Sequence, residues 1–244
     1  MGRDLVDIGP DESTLDALRR AVGTRRRKWL LAGTLLLGLT AAVALSAAGQ
    51  PGDRTLDAMA DPVQSLMSVA VPLIGILLAH DLRHAPRTTR LTPTLLAGVL
   101  VAAAVGVFGT LACVVALALV PSGTASDPWR HAGTIALGGV LVQVVAVLVG
   151  IGLGLLLRST VLAFLGTIVL PLGCWAVLGA VDVLRPAQAL TPYASVRHLL
   201  SGRMDAAAWA QWCAVLLIWG VGLTALGASR RRRSTPETGS ARPQ

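Results

Sequence analysis

Apolar positions fill two long, adjacent stretches of this chain. Ala132 to Leu157 carries no charged residue, Arg158-Ser159-Thr160 break the pattern, and Val161 to Ala180 is uncharged again. At ~1.5 Å of rise per residue, about 20 helical residues cross ~30 Å of hydrocarbon, so each run is long enough to span a bilayer. Backbone groups in lipid must be paired inside a helix or a closed barrel. The period-2 alternation of barrel strands is absent, so the pattern predicts two transmembrane helices joined by a tight turn at Arg158.

The same criterion finds four more runs, giving predicted spans at 29–48, 62–79, 92–120, 132–157, 161–180 and 206–229. The expected fold is therefore all-α: a polytopic membrane protein with six transmembrane helices in one domain over 29–229. Pro72 and Pro171 fall inside spans, and Pro72 predicts a kink.

Ahead of the first span, residues 1–28 read as a cytoplasmic leader. Leu15, Leu18 and Val22 lie on one helical stripe, with Arg19 and Arg20 beside them. Pro10 and the Ser13–Asp16 pair offer a helix start, with Asp11, Glu12 and Asp16 early and Arg25 to Lys28 late, as the helix dipole favours. This predicts an amphipathic interfacial helix on the inner leaflet. Between spans five and six, Val183-Leu184, Ala187 to Leu190 and Tyr193 to Leu200 are amphipathic, which predicts short outer re-entrant helices. Residues 230–244 read as a basic, disordered cytoplasmic tail.

Composition leaves little room for anything else. With 54% of the residues apolar and most of them in these runs, no sizeable soluble domain remains. The 21 Lys and Arg against 13 Asp and Glu give a formal charge of +8, a balance that nucleic acid or a membrane surface would each suit. The basic residues flank the apolar runs, so membrane lipids are the expected partner and nucleic acid is not. With both termini cytoplasmic, the inner segments hold 16 of the 21 basic residues and the outer ones 5, whereas acidic residues divide 7 to 6. That asymmetry in Lys and Arg alone is the signature of topology.

Much chemistry is excluded. A P-loop needs a lysine after its glycines, and the sole lysine, Lys28, follows Arg25-Arg26-Arg27. Gly150-Ile151-Gly152-Leu153-Gly154 lies inside a span and is no dinucleotide fingerprint. Neither H-E-x-x-H nor G-x-S-x-G occurs. His80, His84, His131 and His198 fall in loops, and the His80–His84 pair reads as solvated rather than metal-binding. Cys113, Cys174 and Cys213 sit in apolar runs as small hydrophobes. The spans as drawn hold no ionisable residue, which weighs against an ion-coupled transporter and leaves no acid or base for catalysis. The chain is expected to be no enzyme, with no catalytic, cofactor-binding or metal-binding residue of its own.

Polar residues within spans are Gln64, Ser65, Ser68, Thr110, Gln143, Thr167 and Gln211. Hydrogen bonding between helices is their expected role, and a substrate route lined by Gln64, Ser68, Gln143 and Gln211 is the functional alternative. Gly150 and Gly154 form a small-residue step, expected to pack within the subunit rather than at a dimer seam.

Four features together resemble an ABC-2 type transporter permease. They are the basic leader running into span one; Gly75-Ile76-Leu77-Leu78-Ala79-His80-Asp81-Leu82-Arg83 at the end of span two; Gly152 through Ala163 around the Arg158 turn; and Thr191-Pro192-Tyr193 through Ser201-Gly202 before a Trp-rich last span that ends in Arg230 to Arg233. The loop from His80 to Leu91, with Pro86, is shorter than in many bacterial relatives. The resemblance implies a subunit of a bacterial plasma-membrane exporter for a hydrophobic or amphipathic substrate. It implies a second permease copy or homologue, and a separate ATP-binding subunit that holds ATP and Mg. Contacts to that subunit would come from the leader helix and from His80, Asp81, Leu82, Arg83, His84, Arg87 and Arg158. The alternative for the arginines is topology and lipid phosphate. Rival functions are a non-transporting scaffold or sensor component and an ion-coupled secondary transporter.

Overall fold

The structure, a computed structural model, describes residues 14–49, 54–84, 91–119, 127–202 and 204–233. Six helices are long and apolar enough to cross a membrane, as the sequence predicts, and the described residues include no strand. They are α2 (Arg25–Ala48), α3 (Leu56–His84), α4 (Leu91–Ala118), α5 (Ala132–Leu156), α6 (Thr160–Ala180) and a composite last helix. The last one joins α8 (Ala206–Val215), a wider π-type stretch (Leu216–Gly222) and α9 (Leu223–Arg233). A short α1 (Thr14–Gly23) precedes them, and a 3-10 helix (Asp182–Leu190) and α7 (Pro192–Leu200) connect α6 to α8. Pro10 to Ser13, Arg87 with the rest of 85–90, and the tail at 234–244 lie outside the described residues.

The helices overrun the apolar runs that mark them. α2 starts at Arg25, α3 at Leu56, and α9 continues to Arg233. Hydropathy reports the stretch that suits hydrocarbon, whereas backbone hydrogen bonding carries the helix on into charged sequence. On α3 the overrun puts Pro62 inside the helix and Asp57 and Asp61 on it.

Helices in lipid associate through close packing and hydrogen bonds, because lipid tails are as apolar as leucine. Both devices centre on α3 and α5. A Cβ added at Gly150 would fall on the backbone of Pro72, one added at Gly75 on the Val147 carbonyl, and one at Gly154 would lie 2.8 Å from the Ala79 methyl. The Gly150–Gly154 step thus packs inside the chain. Around it, Val63, Met67 and Val71 of α3, Ala102, Val105 and Cys113 of α4, and Ile135, Val147 and Ile151 of α5 form one buried cluster.

The hydrogen bonds come from two fully buried glutamines. Gln64 Nε2 donates to the Gly106 carbonyl at 2.9 Å and to Thr110 Oγ1 at 3.2 Å, while Gln143 Nε2 donates to Gln64 Oε1 at 2.9 Å and to the Gln64 carbonyl at 3.1 Å. These bonds tie α3, α4 and α5 at one level. Gln143 Oε1 alone among the buried side-chain polar atoms described has no partner.

α1 rests on the bundle through Ala17 and Ala21, which bury against Ile74, Leu78, Ala97 and Val101. Leu18 and Val22 pack at the margin of that contact, and Leu15 is 66% exposed. The buried line is therefore offset from the Leu15-Leu18-Val22 stripe, because small alanines let α1 approach α4 closely. Arg19 pairs with Asp16 on the exposed side at 3.8 Å, and Arg20 is exposed. Arg27 locks the joint. Its guanidinium, only 2% exposed as a residue, donates to the Arg20 carbonyl at 2.8 Å, the Leu77 carbonyl at 2.9 Å and Asp81 Oδ2 at 2.6 Å. A buried guanidinium is tolerated only with such partners.

Candidate functional site

A cleft of about 560 Å³ opens between α3, α5, α6 and α7. On α3, Asp61, Ser65, Ser68 and Pro72 recur at i, i+4, i+7 and i+11 and so share one helical face toward it. Val142, Val145 and Val149 supply an apolar wall from α5, Thr167 and Pro171 line it from α6, and Tyr193 closes it from α7. Tyr193 is held edge-on to Trp175, with ring centroids 5.3 Å apart.

The lining offers hydrogen-bond acceptors beside the hydroxyls of Ser65 and Tyr193. Proline has no N–H, so Pro72 and Pro171 deprive the carbonyls four residues earlier, Ser68 and Thr167, of their usual helical donors. Both of those residues line the cleft, on facing helices. Their hydroxyl protons are committed to their own helices: Ser68 Oγ donates to the Ser65 carbonyl at 2.7 Å, and Thr167 Oγ1 to the Phe164 carbonyl at 2.7 Å. Asp61 adds a half-buried carboxylate, and no Lys, Arg or His is among the described lining residues. The cleft is thus a largely apolar slot with acceptors, two hydroxyls and one acidic group along it.

Of the four glutamine and serine positions read as a possible route, the cleft takes Ser68. Gln64 and Gln143 bond each other in the core, and Gln211 donates to the Ala189 carbonyl, fastening α8 to the 3-10 helix. Trp219, in the π-type stretch, anchors the same segment by donating to the Leu190 carbonyl at 3.1 Å. Sequence reasoning missed Asp61, Pro72, Tyr193 and Arg27 as functional or locking groups. The i, i+4, i+7, i+11 spacing from Asp61 to Pro72 is the signal in the sequence, hidden because the uncharged run begins only after Asp61.

Of the residues read as partner contacts, those described gather at the other end of α3. Leu82 is buried at 1% exposure, and Asp81 is engaged by Arg27. Arg83 turns inward: Nη1 donates to the Leu157 carbonyl at 2.7 Å and Nη2 to the Leu155 carbonyl. It thereby caps carbonyls that the end of α5 leaves without helical donors. His80 and His84 stack with centroids 4.4 Å apart, and both are exposed, as is Arg158. Among the described residues, no group of three or more His, Cys, Asp or Glu is placed to hold a metal ion.

No family model matches this chain, and no curated protein matches it.

Proposed function

We propose that this chain is the membrane-spanning permease subunit of an ATP-binding-cassette exporter, moving a hydrophobic or amphipathic substrate while a separate subunit hydrolyses ATP with Mg. The cleft between α3, α5, α6 and α7 is the observation that carries this reading. Its apolar walls suit a lipid-like body, and its acceptors and Asp61 suit a polar or cationic end rather than an anionic one. Three prolines on the two lining helices α3 and α6 weaken their backbones beside the cleft, as alternating exposure requires.

The arginine-rich end, with Arg27, Arg83, Arg158 and Arg230, is cytoplasmic in this reading, which sets the 3-10 helix and α7 at the outer face as re-entrant elements. The chain then sits in a bacterial plasma membrane with both termini inside. α6 buries only Ala163 and leaves Val161, Val169 and Val177 more than 60% exposed, a face suited to a second permease copy as well as to lipid. With Asp81, Leu82 and Arg83 engaged inside the chain, the ATPase contact falls mainly on His80, His84 and Arg158. Capture of the tagged chain from its native membrane brings down an ATP-hydrolysing subunit at near-equal stoichiometry. Capture of the chain without any such subunit would instead support a scaffold or sensor role.

One observation favours a second reading. Asp61 is an ionisable group in the cleft, the kind of group ion-coupled transporters use. Transport that follows a proton or sodium gradient and ignores ATP would select that reading.

A further inference from the structure

A second cavity, of about 530 Å³, lies at the arginine-rich end between the termini of α3, α5 and α9. Arg83, Arg158 and Arg230 line it together with His80 and His84, and Leu155 and Leu156 form its apolar part. No carboxylate is among the described lining residues; the nearby Asp81 is bonded to Arg27. Arg83 and Arg158 repel each other across the hollow, and an anion there turns that repulsion into attraction.

Arg83 is already shaped for the task. A guanidinium has five N–H donors. Two go to the Leu157 and Leu155 carbonyls, which fix the group in place and leave the others for a ligand. Holding the plane rigid beforehand lowers the ordering cost of binding.

We infer that this cavity is a binding site for the phosphate headgroup of an anionic phospholipid. Its location decides the source of the phosphate. The lining residues sit where the apolar stretches of α3, α5 and α9 give way to charge, which is headgroup depth for helices that cross a bilayer. Leu156, half-buried beside the arginines, contacts the glycerol and first methylenes of a lipid, a use that inorganic phosphate lacks, whereas Leu155 packs into the core. The site needs only the bilayer and this chain, and it shares His80, His84 and Arg158 with the ATPase contact proposed above.

Native mass spectrometry on the full chain tests it, with phosphatidylglycerol and phosphatidylcholine of matched acyl chains as probes. Wild type retains one phosphatidylglycerol with at least roughly tenfold preference over phosphatidylcholine, and Arg158→Gln/Arg230→Gln loses about tenfold of that preference. Arg158→Lys/Arg230→Lys keeps most of it, and Arg185→Gln, at an exposed pair with Asp182, keeps all of it. Because Arg83 stays intact, the cap on α5 is preserved, and an unchanged melting temperature shows that the variants are folded. Equal retention of the two lipids, or an unaltered preference in the double glutamine variant, overturns the assignment. So does displacement of the lipid by inorganic phosphate at equal concentration, which makes free phosphate the ligand. Loss of ATPase capture with lipid retention untouched makes the hollow a protein contact and likewise overturns it.

Discussion

Gly150→Leu is expected to disrupt the helix bundle, with Gly173→Leu leaving it intact. At Gly150 even a single added carbon would meet the carbonyl, Cα and carbonyl carbon of Pro72, all of them backbone. A clash with a flexible side chain is relieved by a rotamer change, but backbone can be relieved only by moving α3 away from α5. Overpacking of ordinary cores costs about 1–3 kcal/mol, and leucine here adds three carbons beyond the first. Separating α3 from α5 also stretches the Gln64–Gln143 bonds, which lie at 2.9 and 3.1 Å. Gly173 has nothing within 4 Å of an added Cβ, so the same substitution there stays within roughly ±0.5 kcal/mol. Thermal unfolding in detergent, followed by size-exclusion profile, separates the two. A drop of roughly 10 °C or loss of the monodisperse peak for the Gly150 variant alone is the expected result.

For the exporter proposed above, Ser68→Trp carries the second large effect, on transport rather than folding. Ser68 lines the cleft from α3, and an indole there occupies the space between Val145 and Thr167 that a substrate would use. Wherever the substrate body must pass, such a plug lowers ATP-driven transport at least about tenfold, equivalent to ~1.4 kcal/mol. The fold tolerates the change because Ser68 is only half-buried and its hydroxyl serves its own helix. Leu66→Trp, on an exposed part of α3 outside the cleft, is the matched control and leaves transport within twofold. Equal inhibition by both variants, measured in vesicles at matched protein content, assigns the loss to general disturbance of α3.

The helices were legible in the sequence because hydrocarbon imposes a length and a composition together: Ala132 to Leu156 has no other stable place for its backbone. Glycines at Gly150 and Gly154 were legible as a packing step, since only small residues let helices touch. The partners of long polar side chains were not legible. Whether Arg27 faces lipid phosphate or reaches Asp81, 54 positions away, depends on how α1 and α2 sit against α3, and no local pattern encodes that. Asp61 escaped for another reason. A hydropathy window stops at the first charge, whereas the helix and its cleft-facing stripe continue through it. Arg83 and Arg158 look equivalent in sequence, both basic and juxtamembrane, but one caps α5 and the other is exposed.

The most direct measurement reconstitutes the purified chain into sealed proteoliposomes with and without the ATP-hydrolysing subunit proposed as its partner and follows efflux of an amphipathic fluorescent probe. Transport that requires both the partner and ATP, and persists when ion gradients are collapsed, is the predicted result. Probe movement by this chain alone, driven by an ion gradient, would contradict it.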